Sequence, residues 1–363
     1  MRVWRKEKGL SMQTRILGKS GIEVSEIGIG CWAIGGLDWN LNMGMGWGGT
    51  DDRQSLEGLH RAFDFGATYF DTADIYGHGH SERLIGQLLR NVRRDQVIIG
   101  TKVGYFRGCA PSAYHPLHMR HQLEMSLRNL GTDYIDIYYF HNLFFGENDE
   151  YVDGAVEAMH RFQEEGKVRF IGQRGPHRYS PHRQQERDLL ESKQARFLRM
   201  ASIIQPSVVQ VRYNMITPPP DDRQYDMFQW AKDHQVGVVI NKPLGQGLLL
   251  AKYDPHNPPI FDQGDHRQRK KWFTAHALGV LQSRLALLKN RFGNSTQDLL
   301  RVAIQYCLYG HQNACVVVGF KNASQVEMSL ASADRPLTEE DVIFIRATMK
   351  GINEEIGSFF LRE

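Results

Sequence analysis

A chain of 363 residues with 41% hydrophobic and 23% charged side chains has globular composition and apolar material for a large buried core. Its 44 basic and 41 acidic side chains leave a net charge of +3. No basic stripe with interleaved aromatics occurs, so nothing points to nucleic acid. No run of about 18 apolar residues offers a membrane span.

The four cysteines (Cys31, Cys109, Cys307, Cys315) fall in no C-x-x-C pair or metal-ligand spacing. They read as reduced thiols of a cytoplasmic protein. Residues 1–12 are basic but lack an apolar h-region, so they do not form a secretory signal. They read as a flexible extension, with a single domain over 13–363.

In chain order, residues 14–17 and 22–24 flank a Gly18-Lys19-Ser20-Gly21 turn and predict a short hairpin. Short β-rich apolar runs then recur at 27–31, 68–71, 97–101, 135–140, 169–171, 208–211, 236–240 and 315–318. Amphipathic helical patterns lie between them at 53–65, 82–90, 116–130, 154–165, 225–233 and 296–308, with a terminal helix over 337–355. Strands alternating with helices imply βαβ units and a parallel sheet. Eight such units fit a closed (β/α)₈ TIM barrel better than an open, doubly wound sheet.

The open sheet would want a phosphate-binding turn after its first strand. Gly44-Met45-Gly46-Trp47-Gly48-Gly49 matches the G-x-G-x-x-G spacing, but the polar stretch 37–43 precedes it instead of a strand. It reads as a loop over the barrel mouth. Three long segments, 36–50, 173–205 and 245–290, follow strand C-termini, the face where barrel loops build active sites. The second is polar and Arg-rich. The third carries Pro255, Pro258 and Pro259 ahead of a charged helical stretch.

Four ionisable residues sit at or just past the ends of strands two to four. Asp71 ends the second, Tyr76 follows five residues later, Lys102 ends the third, and His141 ends the fourth. Consecutive barrel strands are neighbours, so the four side chains are expected to converge at the C-terminal rim. They suit protonation of an oxygen while a hydride reaches its carbon. A tyrosine with its ordinary pKa of about 10 is a weak acid at neutrality. Lys102 is expected to lower that value, Asp71 to hold Lys102, and His141 to orient the substrate oxygen.

The segments Phe70-Asp71-Thr72-Ala73-Asp74-Ile75-Tyr76-Gly77-His78-Gly79-His80-Ser81-Glu82, Thr101-Lys102 and Asp136-Ile137-Tyr138-Tyr139-Phe140-His141 resemble the aldo-keto reductase signatures. The resemblance runs from Leu17 to Asn322. It implies an Asp-Tyr-Lys-His tetrad with Tyr76 as proton donor, and a barrel that binds NADP(H), less often NAD(H), without a Rossmann domain. It also implies a small carbonyl substrate chosen by the long loops, whose polar, Trp- and Arg-bearing character hints at a sugar or a phosphorylated compound.

By the same resemblance, Gln210 binds the nicotinamide carboxamide. Arg174 and Gly175 stand where the family has a Ser-Asn pair, so Arg174 either replaces that contact or leaves it unmade. Asn241 stands where a stacking aromatic is usual. Leu244 and Gln246 belong to a pyrophosphate-binding turn. Gly319, Phe320 and Lys321 belong to the adenosine-phosphate segment, with Gln325 where the family has arginine. Lys321 tilts the reading towards NADP(H).

Two other readings of the barrel stand beside the reductase. One is a cofactor-binding accessory or sensor subunit with little turnover. The other is a hydrolase or isomerase on the same fold. No clustered metal-ligand set is visible, and His78, His80, His177 and His182 read as solvated loop residues or substrate contacts.

Overall fold

The computed structural model describes residues 12–40, 42–177, 193–216 and 226–356. The expected extension, except Met12, and His182 therefore lie outside the described residues. Met12 itself packs against the core.

Strands β1 (Thr14–Ile16) and β2 (Glu23–Ser25) form the expected antiparallel hairpin. The barrel follows: β3 (Ile27–Gly30), then, after a two-residue ribbon β4 (Trp39–Asn40) and β5 (Met43–Gly44), β6 (Tyr69–Asp71), β7 (Ile98–Val103), β8 (Ile135–Phe140), β9 (Val168–His177), β10 (Val208–Arg212), β11 (Gly237–Asn241) and β12 (Ala314–Gly319). These eight barrel strands pair in parallel in chain order, and β12 closes on β3.

Leu17, Ile22 and Val24 of the hairpin pack with Tyr69, Ile137, Tyr139, Val208, Val239 and Cys315, plugging the end opposite the strand C-termini. Tyr69 and Tyr139 meet inside the barrel through their hydroxyls at 3.0 Å. A Cβ at Gly172 would fall 2.2 Å from the Tyr139 ring, so that strand must be bare there for the tyrosine to fit.

The outer helices are α1 (Asp52–Asp64), α2 (His80–Leu89), α3 (Pro116–Leu130), α4 (Val152–Glu164), α5 (Lys193–Ile204), α6 (Met227–Asp233), α7 (Ala275–Phe292), α8 (Thr296–Leu308), α9 (Ala323–Leu330), α10 (Glu339–Met349) and α11 (Ile352–Ile356). Their ends follow capping chemistry. α3 begins on Pro116 and stops at Gly131, which takes a left-handed φ of 64°. α8 starts from a capping box between Ser295 and Asp298.

Three expectations shift. The fifth strand, expected over 169–171, runs to His177, because the polar Gln173 and Arg174 still pair with Val209 and Gln210 of β10. The segment 173–205 contains α5, whose Phe197, Met200, Ala201 and Ile204 are buried at helical spacing. The expected terminal helix is two helices, α10 and α11, separated at Lys350 and Gly351.

Candidate active site

The site begins with the turn that carries Tyr76 from β6 to α2. The Thr72 N–H donates to Gly100 O at 2.8 Å, tying the turn to the neighbouring strand. Thr72 Oγ1 donates to Ser81 Oγ at 2.8 Å, and Ser81 Oγ donates to Cys31 O at 2.7 Å. Glu82 accepts from Thr101 and Asn129, and Asp74 accepts from Gln122 Nε2 at 3.1 Å. Most polar residues of the 70–82 motif are therefore consumed in holding the turn. Tyr76 is the one left facing the mouth cleft with its hydroxyl.

The four expected residues meet. Lys102, 1% exposed, donates to Asp71 Oδ2 at 2.9 Å and to the Thr72 carbonyl, and its Nζ lies 3.5 Å from Tyr76 Oη. The His141 ring lies edge-on to the Tyr76 ring at 5.8 Å between centroids. Gln210 extends the line: its Nε2 donates to Asp71 Oδ1 at 2.7 Å, and its Oε1 accepts from Asn241 Nδ2 at 3.0 Å. One connected chain thus runs Tyr76–Lys102–Asp71–Gln210–Asn241. The substituted residue at 241 is built into it.

Burial dominates the electrostatics. It pushes the Tyr76 phenol well above 10, helped by the Asp71 charge and opposed by Arg174. Lys102 was expected to pull that phenol down. Instead its charge is largely matched by Asp71, and burial draws Lys102 itself down from the lysine range. Burial, then Lys102, Arg174 and Lys242, holds the His141 imidazole well below 6.5, so it is neutral near pH 7. Its Nδ1 is buried with no partner.

A cavity of about 440 Å³ opens beside Tyr76 and Asp71 at the strand C-termini. Gln210, Asn241, Leu244, Gln246, Gly319, Phe320, Lys321 and Gln325 all line it. Arg174 does not. It lies on the other side of the tetrad, donating to Tyr105 Oη at 3.0 Å and to the His141 carbonyl at 3.4 Å. Phe320 packs under α1 against Gly58, so it offers the cleft mainly backbone. Gln325 Oε1 accepts from the Lys321 N–H at 2.9 Å, while Asn322 caps α9.

The cavity has the donor set of a dinucleotide site. Both amide atoms of Gln246 and the Oδ1 of Asn241 are buried in it without partners. Such atoms are costly to leave unpaired and call for a polar ligand. Lys252 and Lys321 bring positive charge to the same cleft, where Arg267 is paired with Asp265 at 2.6 Å, and the N-terminus of α9 adds its dipole.

Loops 36–50 and 254–270 close over the mouth. Gly46 N–H donates to Gly264 O at 2.9 Å, His266 N–H to Gly46 O at 3.0 Å, and Gly48 N–H to Asp265 Oδ2 at 2.8 Å. Lys321 Nζ completes the strap on Gly48 O at 2.6 Å. A Cβ at Gly46 would lie 2.2 Å from Asp38 N, which explains this glycine of the G-x-G-x-x-G string by loop packing. His78 serves the same loop, on Asp38 at 2.6 Å, while His80 pairs with Asp52 at the start of α1 at 3.0 Å.

Sequence reasoning missed Trp32, Tyr105, Lys242, His266 and Arg269. Trp32 packs against Tyr76, 6.1 Å between centroids, and Lys242 lies 4.8 Å from its indole. Trp32 and Lys242 each come just past a barrel strand end, a signal that was available. The other three sit in loops without periodicity.

A model of the aldo/keto reductase family matches residues 26–349. The L-glyceraldehyde 3-phosphate reductase of Escherichia coli K12 is 30% identical over 327 residues, covering 87% of this chain and 86% of that protein. The aldo-keto reductase yakc [NADP(+)] of Schizosaccharomyces pombe is 28% identical over 266 residues, 72% of this chain and 68% of that one. The holo structure of the aldo-keto reductase AKR11C1 from Bacillus halodurans superposes with a TM-score of 0.66 at 26% identity, covering 93% of this chain and 96% of that chain. The chain belongs to the aldo/keto reductase family and is an NAD(P)H-dependent oxidoreductase.

Proposed function

We propose that the protein reduces the carbonyl of a small aldehyde, ketone or keto-sugar to the alcohol with NADPH, and that Tyr76 donates the proton. The observation that carries this reading is the Tyr76–Lys102–Asp71 line at the head of the cleft, with a neutral His141 beside it. NADP(H) is favoured over NAD(H) by the Lys321 charge in the cleft and by the NADP(+) in the name of the fission-yeast relative. The four free thiols, three of them buried, support a cytoplasmic setting.

When bound, the dihydronicotinamide supplies a hydride to the carbonyl carbon. The residues of the chain do the rest. Gln246 and Asn241 offer their unpartnered amide atoms to the cofactor. Neutral His141 donates a hydrogen bond that sets the carbonyl oxygen beside Tyr76 Oη. As the carbonyl π pair moves onto that oxygen, Tyr76 releases its proton to it. The resulting phenolate is stabilised by Lys102 until solvent returns the proton.

The raised pKa of Tyr76 suits this order of events, because the proton stays in place until an oxygen acceptor gains charge. Asp71 keeps Lys102 aimed at the phenol. Gln210, by occupying the second Asp71 oxygen, keeps that carboxylate from turning away.

The test is steady-state oxidation of NADPH over a panel of aldehydes, ketones and keto-sugars, alongside a titration of NADPH binding. Turnover with at least one neutral or charged carbonyl supports the reductase. Tight NADPH binding without turnover on any of them favours the accessory-subunit reading.

A further inference from the structure

Where the cleft meets the Trp32 and His141 side of the tetrad, polar groups collect with no carboxylate paired to them among the described residues. Among the described residues Arg174 donates to Tyr105 Oη and the His141 carbonyl and to no carboxylate. Arg269 donates through Nη2 to His266 Nδ1 at 2.8 Å and touches the sulfurs of Met43 and Met45, while its buried Nε–H has no partner. Lys242 lies over the Trp32 ring, and no carboxylate pairs with its ammonium among the described residues. Burial, then the cations Arg212, Arg174 and Arg269, draws Lys242 well below the lysine range, a shift that a bound anion would oppose.

His266 is the sharpest of these groups. It is only 9% exposed, its ring is 5.0 Å from Trp32, and its Nε2 is buried without a partner. Because Arg269 donates to Nδ1, that nitrogen is the acceptor, and in the neutral ring Nε2 carries the hydrogen. Burial and the cations Lys242, Lys270, Arg269 and Arg174 keep the ring neutral. His266 and Lys242 lie against the Trp32 indole, with Arg269 bonded to His266 behind it, and the indole also packs on Tyr76.

Resting on the reductase reading, the geometry points to a substrate that carries an oxyanion, a carboxylate or a phosphate, a short chain away from its carbonyl. His266, Arg269 and Lys242 hold that group, with Arg174 adding charge from the His141 side. Like charges gathered in a half-buried place repel each other, and an anion removes that cost. The phosphates of the dinucleotide have their own cations. Lys252, Arg267 and Lys321 form a second group in the cleft and act on one another there. Arg269, Arg174 and His266 stand outside that cleft's lining, whereas Lys242 and Trp32 border it and join the two places.

The experiment compares kcat/KM for two matched pairs, succinic semialdehyde against butanal and glyceraldehyde 3-phosphate against glyceraldehyde, with NADPH held saturating. The wild type is expected to prefer the anionic member of at least one pair by about 10- to 100-fold, the range of charge-assisted hydrogen bonds. Which pair shows it separates carboxylate from phosphate. The preference should fall as salt rises, a measurement that needs no variant. In Arg269→Gln and in His266→Phe the preference should drop about tenfold or more, as for the loss of one charge-assisted contact.

Equal use of both members of both pairs overturns the oxyanion site and leaves the reductase standing. Lack of turnover on all four, with turnover elsewhere in the carbonyl panel, overturns the site alone; lack of turnover on the whole panel overturns the reductase, and this site with it. If Lys242→Met weakens NADPH binding while the anionic preference persists, Lys242 serves the cofactor and the site as drawn is wrong.

Discussion

Replacing Lys102 by methionine separates what the lysine does for the reaction from what it does for the fold. Its Nζ lies 3.5 Å from Tyr76 Oη. A unit charge at that distance stabilises a phenolate by about 5 kcal/mol at an effective dielectric near 20. Asp71, 2.9 Å from the same ammonium, offsets part of this. The net loss is then about 3–4 kcal/mol, a fall in kcat of roughly 10²- to 10³-fold. The same substitution strands a buried carboxylate, which costs about 3–5 kcal/mol of stability.

Adding Asp71→Asn removes that carboxylate. The double variant should recover most of the lost stability and none of the lost rate. The assay pairs urea unfolding followed by fluorescence with kcat on the best carbonyl of the panel, for the two single variants and the double. If the double variant regains activity along with stability, Lys102 acts only by keeping the site folded, and the electrostatic argument fails.

Three further outcomes follow from the geometry. Lys321→Met should weaken NADPH binding about tenfold or more, as for a lost charge-assisted contact, and NADH binding far less; fluorescence titrations of the two cofactors read the difference, and equal weakening would remove Lys321 from the 2′-phosphate. Because His141 is held well below 6.5, it stays neutral as pH rises from 6 to 8. The kcat/KM profile should then lack a limb near 6.5 that disappears in His141→Gln. Asp74 is pushed up to about 8 by burial and by Glu82. The folded chain keeps a proton that the unfolded chain releases above about 4, so stability falls as pH rises from about 4 to about 8, by at most ~1.4 kcal/mol per pH unit. Asp74→Asn should flatten that slope in urea midpoints taken across the range; an unchanged slope contradicts the assignment.

The barrel was legible because its strands are short and largely apolar, and the patterns at 116–130 and 296–308 match α3 and α8, whose ends are fixed by Pro116, Gly131 and the Ser295–Asp298 box. The end of β9 was hidden because Gln173 and Arg174 are polar yet pair in the ladder. α5 was hidden inside an Arg-rich stretch whose buried positions, 197, 200, 201 and 204, recur at helical spacing among the other apolar residues Leu198 and Ile203.

At the site, residues fixed by strand ends were readable, since neighbouring strands bring Asp71, Lys102 and His141 together. The direction of the Tyr76 shift was not, because it turns on burial and on how far Asp71 cancels Lys102. His266 and Arg269 were equally invisible. Their loop is placed by backbone bonds to Gly46 and Gly48, between segments more than 200 residues apart in sequence.

The most direct measurement is a single turnover of pre-bound NADPH on rapid mixing with a reducible carbonyl, in wild type and Tyr76→Phe. Losing a positioned acid should slow the step about 10²- to 10⁴-fold. NADPH affinity should hold, because Lys102 keeps its bonds to Asp71 and the Thr72 carbonyl without the phenol oxygen. Equal single-turnover rates in the two proteins would contradict Tyr76 as the proton donor.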